Sequence, residues 1–154
     1  MATVTTQQFR ARQFGSAPYG NKTVLPFKLK TNAVGAVTDS SQATALAIND
    51  VVILGSLPAG MLITDSTVIV STALTALVTG DLGIQYVDGV DNALLPQSPT
   101  LFGAGLVLNA AGRLRNATTN ALTKLPEDAY LILTVKGAAN AKIGVVDVVI
   151  EGEL

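Results

Sequence analysis

The sequence predicts an all-β protein, a jelly-roll-like antiparallel β-sandwich with an extended N-terminal arm. Three observations lead to this prediction. Seven or eight short runs of β-branched and aliphatic residues follow one another, turn signals separate them about every 8–12 residues, and no segment has a strong helical period. A chain of 154 residues corresponds to one domain, in which residues 1–22 are the predicted arm and residues 23–154 the predicted sandwich.

The first half of the sandwich contains the predicted strands up to residue 87. Residues 23–30 alternate apolar and polar side chains, and Pro26 assigns this strand to a sheet edge because proline cannot donate a ladder hydrogen bond. Three further strands are predicted here: 45–55 with a bulge at Asn49-Asp50, 61–70 after the turn Pro58-Ala59-Gly60, and 82–87.

The second half is less regular until its end. Residues 88–99 are rich in Pro, Asp, Asn and Gly and predict a long loop, whereas residues 100–112 predict a short helical turn followed by a strand. A loop with an exposed strand is predicted for 113–128. In each of the last two runs, 130–136 and 143–151, inward-facing and outward-facing side chains are expected to alternate. Six residues separate the two runs, which predicts a β-hairpin.

The composition indicates a protein that associates. Hydrophobic residues make up 49% of the chain and charged residues only 14%, against about 25% in a typical domain, and the mean hydropathy is +0.46. The segments 51–54 and 145–150 are apolar on both strand faces, which favours an interface on one of them. We therefore expect an obligate oligomer or a protein docked on a larger surface.

Nothing in the sequence predicts a membrane span or a secretory signal. The longest apolar stretch, Val51–Ile63, has 13 residues and includes Ser56 and Pro58, whereas a spanning helix needs about 18 or more. The first fifteen residues lack the apolar segment of a signal peptide. We expect the protein to be made and assembled in a cytoplasm.

The chain offers little for catalysis or metal binding. It has no histidine and no cysteine, which removes the commonest general base, the usual triad base and the ligands of structural zinc. Asp81, Asp88 and Asp91 with Asn92 form its densest acidic cluster, but the spacing matches no EF-hand loop. Turn-capping aspartates explain this cluster better than a Ca²⁺ site. The sequence thus predicts no catalytic residue, no metal and no cofactor.

The charges are distributed unevenly along the chain. Residues 1–38 contain five bases and no acid, whereas the remainder holds five bases and all eleven acids. Three of the seven aromatic residues lie in residues 1–22 of this segment, where no strand or helix period is visible. An irregular segment with aromatic and arginine anchors is typical of docking into a neighbour. The predicted partner-binding residues are Phe9, Arg10, Arg12, Phe14 and Tyr19.

Nucleic acid is the less favoured partner for this segment. Two arginines and three lysines are sparse over thirty residues, and the acidic remainder of the chain would repel phosphates. A solvated basic tail is the other interpretation.

Three patterns together resemble a known class of proteins. They are LG-x-LPAG-x-x-I at 54–63, GD-x-GI-x-Y at 80–86, and the two C-terminal strands. Over about residues 46–152 this order resembles the small all-β decoration, or cement, proteins of tailed-bacteriophage heads. The resemblance implies a virion protein and not an enzyme. It implies an oligomer, commonly a homotrimer, on the capsid exterior that bridges subunits of the major capsid protein, with neither nucleic acid nor membrane as a partner.

A second class of function stays open from the sequence. A ligand- or carbohydrate-binding β-sandwich module of a phage fibre or adhesion protein would have a similar strand pattern. Flat sugar sites usually need exposed aromatic platforms, and the chain has no tryptophan and only three tyrosines. A glycan array distinguishes the two classes, because a decoration protein gives no signal on it.

Overall fold

Two β-sheets face each other across a single apolar core. The computed structural model describes residues 1–5, 22–115 and 122–154, and no described residue is helical. No helix in these ranges is therefore long and apolar enough to cross a membrane. The strands of the described residues are β1 (Thr3–Thr5), β2 (Thr23–Thr31), β3 (Val51–Leu57), β4 (Leu62–Thr72), β5 (Thr79–Tyr86), β6 (Ser98–Val107), β7 (Gly112–Arg115), β8 (Thr123–Lys124), β9 (Ala129–Lys136) and β10 (Gly144–Glu153).

The strand order confirms the predicted sandwich. The first sheet has the order β1-β3-β9-β5-β6 and the second the order β2-β10-β4-β7, with β8 also paired to β4. Every described strand pair is antiparallel except β1 with β3, which is parallel. Strand β2 lies at the edge of the second sheet, as Pro26 predicts. An edge strand tolerates proline because only one of its sides forms a complete hydrogen-bond ladder.

The core comes from the alternate residues of both sheets. In β10, Val146, Val148 and Ile150 are completely buried, and Leu131 and Leu133 of β9 are buried opposite them, as the alternation predicts. Gly55 allows the sheets to approach closely, since a Cβ at this position would overlap the ring of Phe27. The burial of these apolar side chains is the main source of stability.

The core also includes a residue of the predicted arm. The predicted sandwich begins at residue 23, but Val4 is only 2% exposed and belongs to the core. Strand β1 pairs with Val51–Ile53 of β3, so residues 3–5 belong to the sandwich. Residues 3–5 show no strand pattern in the sequence. They form a strand because the edge of β3 offers unpaired backbone groups for hydrogen bonding.

The predicted C-terminal hairpin is wrong. Strand β10 alternates as predicted, whereas β9 is buried on both faces. Strand β9 pairs with β3 and β5 in the first sheet, and β10 pairs with β2 and β4 in the second. The six residues between the two runs therefore cross from one sheet to the other. A hairpin and a crossover need similar loop lengths, so loop length alone does not distinguish them.

Two strand boundaries also differ from the prediction. Residues 98–107 form strand β6 in place of the predicted helical turn, with Phe102 and Leu106 pointing into the core and Gly105 at φ 62° beside a register shift. Strand β3 begins only at Val51 and not at residue 45. There is no bulge at Asn49-Asp50, because Asn49 adopts a left-handed conformation (φ 69°) in the connection that leads into β3.

The connections gather at the two opposite ends of the sandwich. We call one the acidic end; it holds the β3–β4 turn, the β5–β6 loop and residues 125–128 before β9. The other, the Asn140 end, holds the β2–β3, β4–β5, β6–β7 and β9–β10 connections. Since neighbouring strands are antiparallel, successive connections alternate between these ends.

Candidate interaction surfaces

The predicted partner-binding residues lie outside the described residues. Phe9, Arg10, Arg12, Phe14 and Tyr19 all fall within 6–21. The structure does describe what precedes and follows this segment: Thr5 ends β1 at the edge of the first sheet, and Thr23 begins β2 at the edge of the second. The segment predicted as a free arm is thus tethered to the sandwich at both of its ends.

The outer face of the second sheet carries charges that are mutually neutralised. Lys28 lies 3.4 Å from the carboxylate of Asp147, and Lys22 forms an ion pair with Glu151. The predicted second apolar face of β10 is therefore interrupted, since Val145 and Val149 alternate there with acids and are half-buried. This face is suited to contact with water.

A third ion pair of that face joins two strands. Arg115 Nε donates to Asp65 Oδ2 at 2.7 Å, and a second guanidinium nitrogen contacts the same oxygen. This hydrogen bond lowers the pKa of Asp65 below its ordinary value, with a smaller contribution from the Ser66 backbone N–H. The pair links β4 to the short edge strand β7.

The outer face of the first sheet is apolar at its centre. Ile53 and Ile132 are paired neighbours on β3 and β9, and they are only 8% and 5% exposed. Thr134 beside them is equally buried. The second apolar face predicted for 51–54 is thus present, and in β9 both faces are buried.

The acidic end presents an exposed apolar surface surrounded by carboxylates. The β5–β6 loop carries Val87, Val90 and Leu94, and the Leu94 side chain is 87% exposed. We call this surface the acidic patch; its members are Val87, Asp88, Val90, Asp91, Leu94, Glu127 and Asp128. There is no lysine or arginine among residues 87–97 and 126–128.

Hydrogen bonds hold the loop of the acidic patch in place. Asp91 Oδ1 accepts from the backbone N–H of Gln97 at 2.7 Å, and Asn92 Oδ1 accepts from that of Leu94 at 2.9 Å. The Asn92 amide in turn donates to Glu127 at 2.8 Å. Leu94 is thus presented from a preformed loop, which reduces the entropy lost when a partner binds.

A buried tyrosine anchors the same loop to the core. Tyr86 is 1% exposed, and its hydroxyl donates to the backbone carbonyl of Leu95. Burial raises the pKa of Tyr86 above its ordinary value, and the nearby carboxylates of Glu127 and Asp91 raise it further.

The aspartates considered as Ca²⁺ ligands do not form a cluster. Asp81 lies within β5 and accepts from the backbone N–H of Gly105 at 2.8 Å, whereas Asp88 and Asp91 lie in the following loop and accept from loop N–H groups. Among the described residues no group of three acids could hold a metal ion. Turn capping, the preferred interpretation from the sequence, accounts for the contacts of Asp88 and Asp91, whereas Asp81 accepts from the neighbouring strand β6.

A buried amide organises the opposite end. The side chain of Asn140 is completely buried and makes five hydrogen bonds. Its Oδ1 accepts from the N–H and hydroxyl of Thr75, both at 3.1 Å. Its Nδ2 donates to Thr31 Oγ1 at 3.1 Å, to the Gly35 carbonyl at 3.3 Å and to the Lys142 carbonyl at 2.8 Å. Asn140 therefore joins the β2–β3, β4–β5 and β9–β10 connections.

These three connections expose aliphatic side chains beside lysines. We call this surface the basic patch; its members are Val34, Ile48, Leu77, Lys136, Lys142 and Ile143. Leu77 is 71% exposed and has φ 68°. A left-handed conformation costs a bulky residue roughly 1 kcal/mol, and asparagine or glycine would occupy it more readily. Sequence reasoning missed Asn140 and Leu77, because neither belongs to a motif.

The comparisons with known proteins agree with the fold. No family model matches the chain, and no curated protein matches it. Its structure is similar to a chain in the capsid of Ralstonia phage GP4, with a TM-score of 0.68, 14% identity and coverage of 99% of this chain and 97% of the other. A chain in the capsid asymmetric unit of cyanophage Pam1 gives a TM-score of 0.56 at 14% identity, with 94% of both chains covered. The chain thus shares its complete fold with chains of phage capsids.

Proposed function

We propose that this protein is a structural component of a tailed-phage virion, and that it binds the outer surface of the capsid as a decoration protein. The observation that carries the proposal is the similarity to a chain in the Ralstonia phage GP4 capsid, which covers nearly all of both chains. The proposed role is accordingly not enzymatic.

The proposed mechanism is stabilisation of the assembled lattice. A homotrimer that bridges neighbouring subunits of the major capsid protein adds buried area across their boundaries. If it binds the assembled lattice and not the free subunits, mass action stabilises the assembled state. The low charge content and the exposed aliphatic side chains support a protein whose surface is covered in its working state.

Carbohydrate binding receives no support from the described aromatic residues. Phe27, Tyr86 and Phe102 are buried in the core, and Tyr130 is half-buried in β9. A sugar platform needs an aromatic face open to solvent. A glycan array provides the control, and we expect no binding on it.

The proposal is tested with heads that lack the protein. Purified protein is mixed with heads assembled from the major capsid protein encoded beside it, and the heads are sedimented. We expect saturable binding to the heads, no binding to unassembled capsid protein, and a higher melting temperature of the decorated heads. Equal binding to unassembled subunits, or none to heads, would contradict the proposal.

The segment 6–21 is the proposed docking segment on a neighbouring copy or on the capsid. Its aromatic residues would fill pockets, and Arg10 and Arg12 would pair with acids. Because β1 belongs to the core, the test replaces residues 7–20 with a Gly/Ser linker of equal length and leaves Val4 in place. We expect an unchanged fold but weaker association, by about 2 kcal/mol or more for each anchor lost.

Charge reversal separates the contribution of the arginines. The double variant Arg10→Glu, Arg12→Glu is expected to weaken association less than the linker variant does. Its effect should be larger at low salt, where charges are screened less. Unchanged association and head binding of both variants would identify the segment as a passive connection.

A further inference from the structure

The two end patches of the sandwich differ in the way that a cyclic trimer requires. A ring with an odd number of copies cannot be built from one self-complementary surface, because each contact must join two different surfaces. Each copy therefore needs two distinct patches that fit each other. The acidic patch and the basic patch lie at opposite ends of the strands and could serve as this pair.

The two patches are complementary in charge. The acidic patch contains four carboxylates and no base. The basic patch contains Lys136 and Lys142, and the buried acid nearby, Asp50, is engaged by backbone N–H groups of Ala2 and Ala47. The exposed acid of the β2–β3 connection, Asp39, lies between Thr38, whose N–H donates to the Lys30 carbonyl of β2, and Ser41, whose N–H donates to the Thr5 carbonyl of β1. Opposite charges around an apolar centre favour the correct pairing and suppress contacts between like ends.

Both patches are also held in a fixed shape before any partner arrives. Asp91 and Asn92 fix the loop that carries Leu94, and Asn140 fixes the connections that carry the basic patch. Leu77 is an exposed leucine at φ 68°, a position at which leucine lowers the stability of the free chain. An exposed, strained apolar residue at a rigid end is typical of a binding surface.

From these observations we infer that the acidic patch of one copy binds the basic patch of the next, with Leu94 and Leu77 as the central anchors. Three such contacts close a ring. The inference rests on the proposed function only for the number of copies, and its test uses the free protein without heads. Its failure is therefore distinguishable from failure of the proposed function, which head binding measures.

Two single variants test the contact. Leu94→Asp disables the acidic patch, because a charge must then be desolvated in the centre of an apolar contact. Leu77→Asp disables the basic patch, and aspartate tolerates the left-handed backbone at this position, so we expect it to fold. Val24→Asp on the outer face of β2 is the matched control, since Val24 is 51% exposed and belongs to neither patch.

Analytical ultracentrifugation at micromolar concentration gives the result. We expect three times the 15.8 kDa chain mass for the wild type and the control, and a dissociation constant raised about 30-fold or more in each patch variant. An equimolar mixture of the two variants retains one intact pair of patches. The mixture should form dimers that contain one copy of each variant, and no larger species.

Several results would overturn the inference. They are a monomeric wild type, a patch variant that keeps the wild-type mass, and a mixture that stays monomeric although both variants are folded by circular dichroism. A surface that binds its own copy would leave one of the two variants fully associated when it is measured alone, so the single variants also separate that geometry from the proposed one.

Discussion

Asn140→Ala is expected to loosen the whole Asn140 end of the sandwich. The substitution removes all five side-chain hydrogen bonds of a completely buried amide. The Thr75 N–H loses that partner, whereas the Gly35 carbonyl still accepts from the Leu46 N–H at 3.1 Å and the Lys142 carbonyl from Thr31 Oγ1 at 2.8 Å. Three connections that lie far apart in the sequence lose their common attachment.

The expected cost follows from the number of bonds. A typical hydrogen bond contributes about 0.5–1.5 kcal/mol net, and a buried group left without a partner costs about 1–3 kcal/mol. Since water can enter the space and satisfy some of these groups, we expect a loss of about 3–5 kcal/mol in the free energy of unfolding. That is a large fraction of the stability of an ordinary domain.

Urea unfolding followed by circular dichroism measures this loss. Asn109→Ala, which makes the same deletion at a half-exposed position of the same end, is the control and should change stability by about 0.5 kcal/mol or less. Hydrogen exchange should become faster in residues 32–50, 73–78 and 137–143 of Asn140→Ala only. A loss below about 1 kcal/mol would refute the account of Asn140 as the common attachment.

Three further predictions concern stability. Ser66→Ala should stabilise the protein by about 1 kcal/mol in urea unfolding, because the buried Ser66 hydroxyl has no hydrogen-bond partner among the described residues; a destabilised variant would reveal a partner. The pKa of Asp65 is lowered in the folded state, so its ion pair should stabilise fully above the ordinary carboxyl pKa of about 4 and lose this effect as the pH falls through the folded value. Arg115→Gln should remove that acid-dependent part of the unfolding free energy, and an unchanged pH profile would contradict this. EDTA should leave the melting temperature unchanged because Asp88 and Asp91 cap loop N–H groups; a drop of several degrees would indicate a Ca²⁺ site.

The class of fold could be predicted because each core strand has a strong local pattern. Strand β10 alternates buried and half-buried residues along its whole length, as burial of one face requires, and β9 is a run of mostly apolar residues that are buried on both faces. The pairing partners could not be predicted in the same way. The crossover between β9 and β10 depends on which sheet each strand joins, and this is decided by contacts with β2–β5 that are distant in the sequence.

The errors at β6 and β1 have a similar cause. Glycines 103 and 105 weaken any local preference, and the Gly105 conformation is stabilised in the sheet by its N–H contact with Asp81. Strand β1 has only three residues and forms because the edge of β3 is available. In both cases the tertiary partner outweighs the weak local propensity.

The candidate surfaces were predicted only in part. The long loop at 88–99 was expected from its prolines and aspartates, and it is the loop that presents Leu94. The exposure of Leu94 and the left-handed backbone of Leu77 could not be read from the sequence, because leucine usually indicates a core position. Asn140 resembles any loop asparagine until the three connections that surround it are known.

Cryo-electron microscopy of heads incubated with saturating protein tests the central claim most directly. The account predicts additional density of the size of this sandwich on the outer surface of the heads, in groups of three copies that span the boundaries between capsid protein subunits. Heads with a bare exterior under these conditions, or density confined to their interior, would contradict the proposed role.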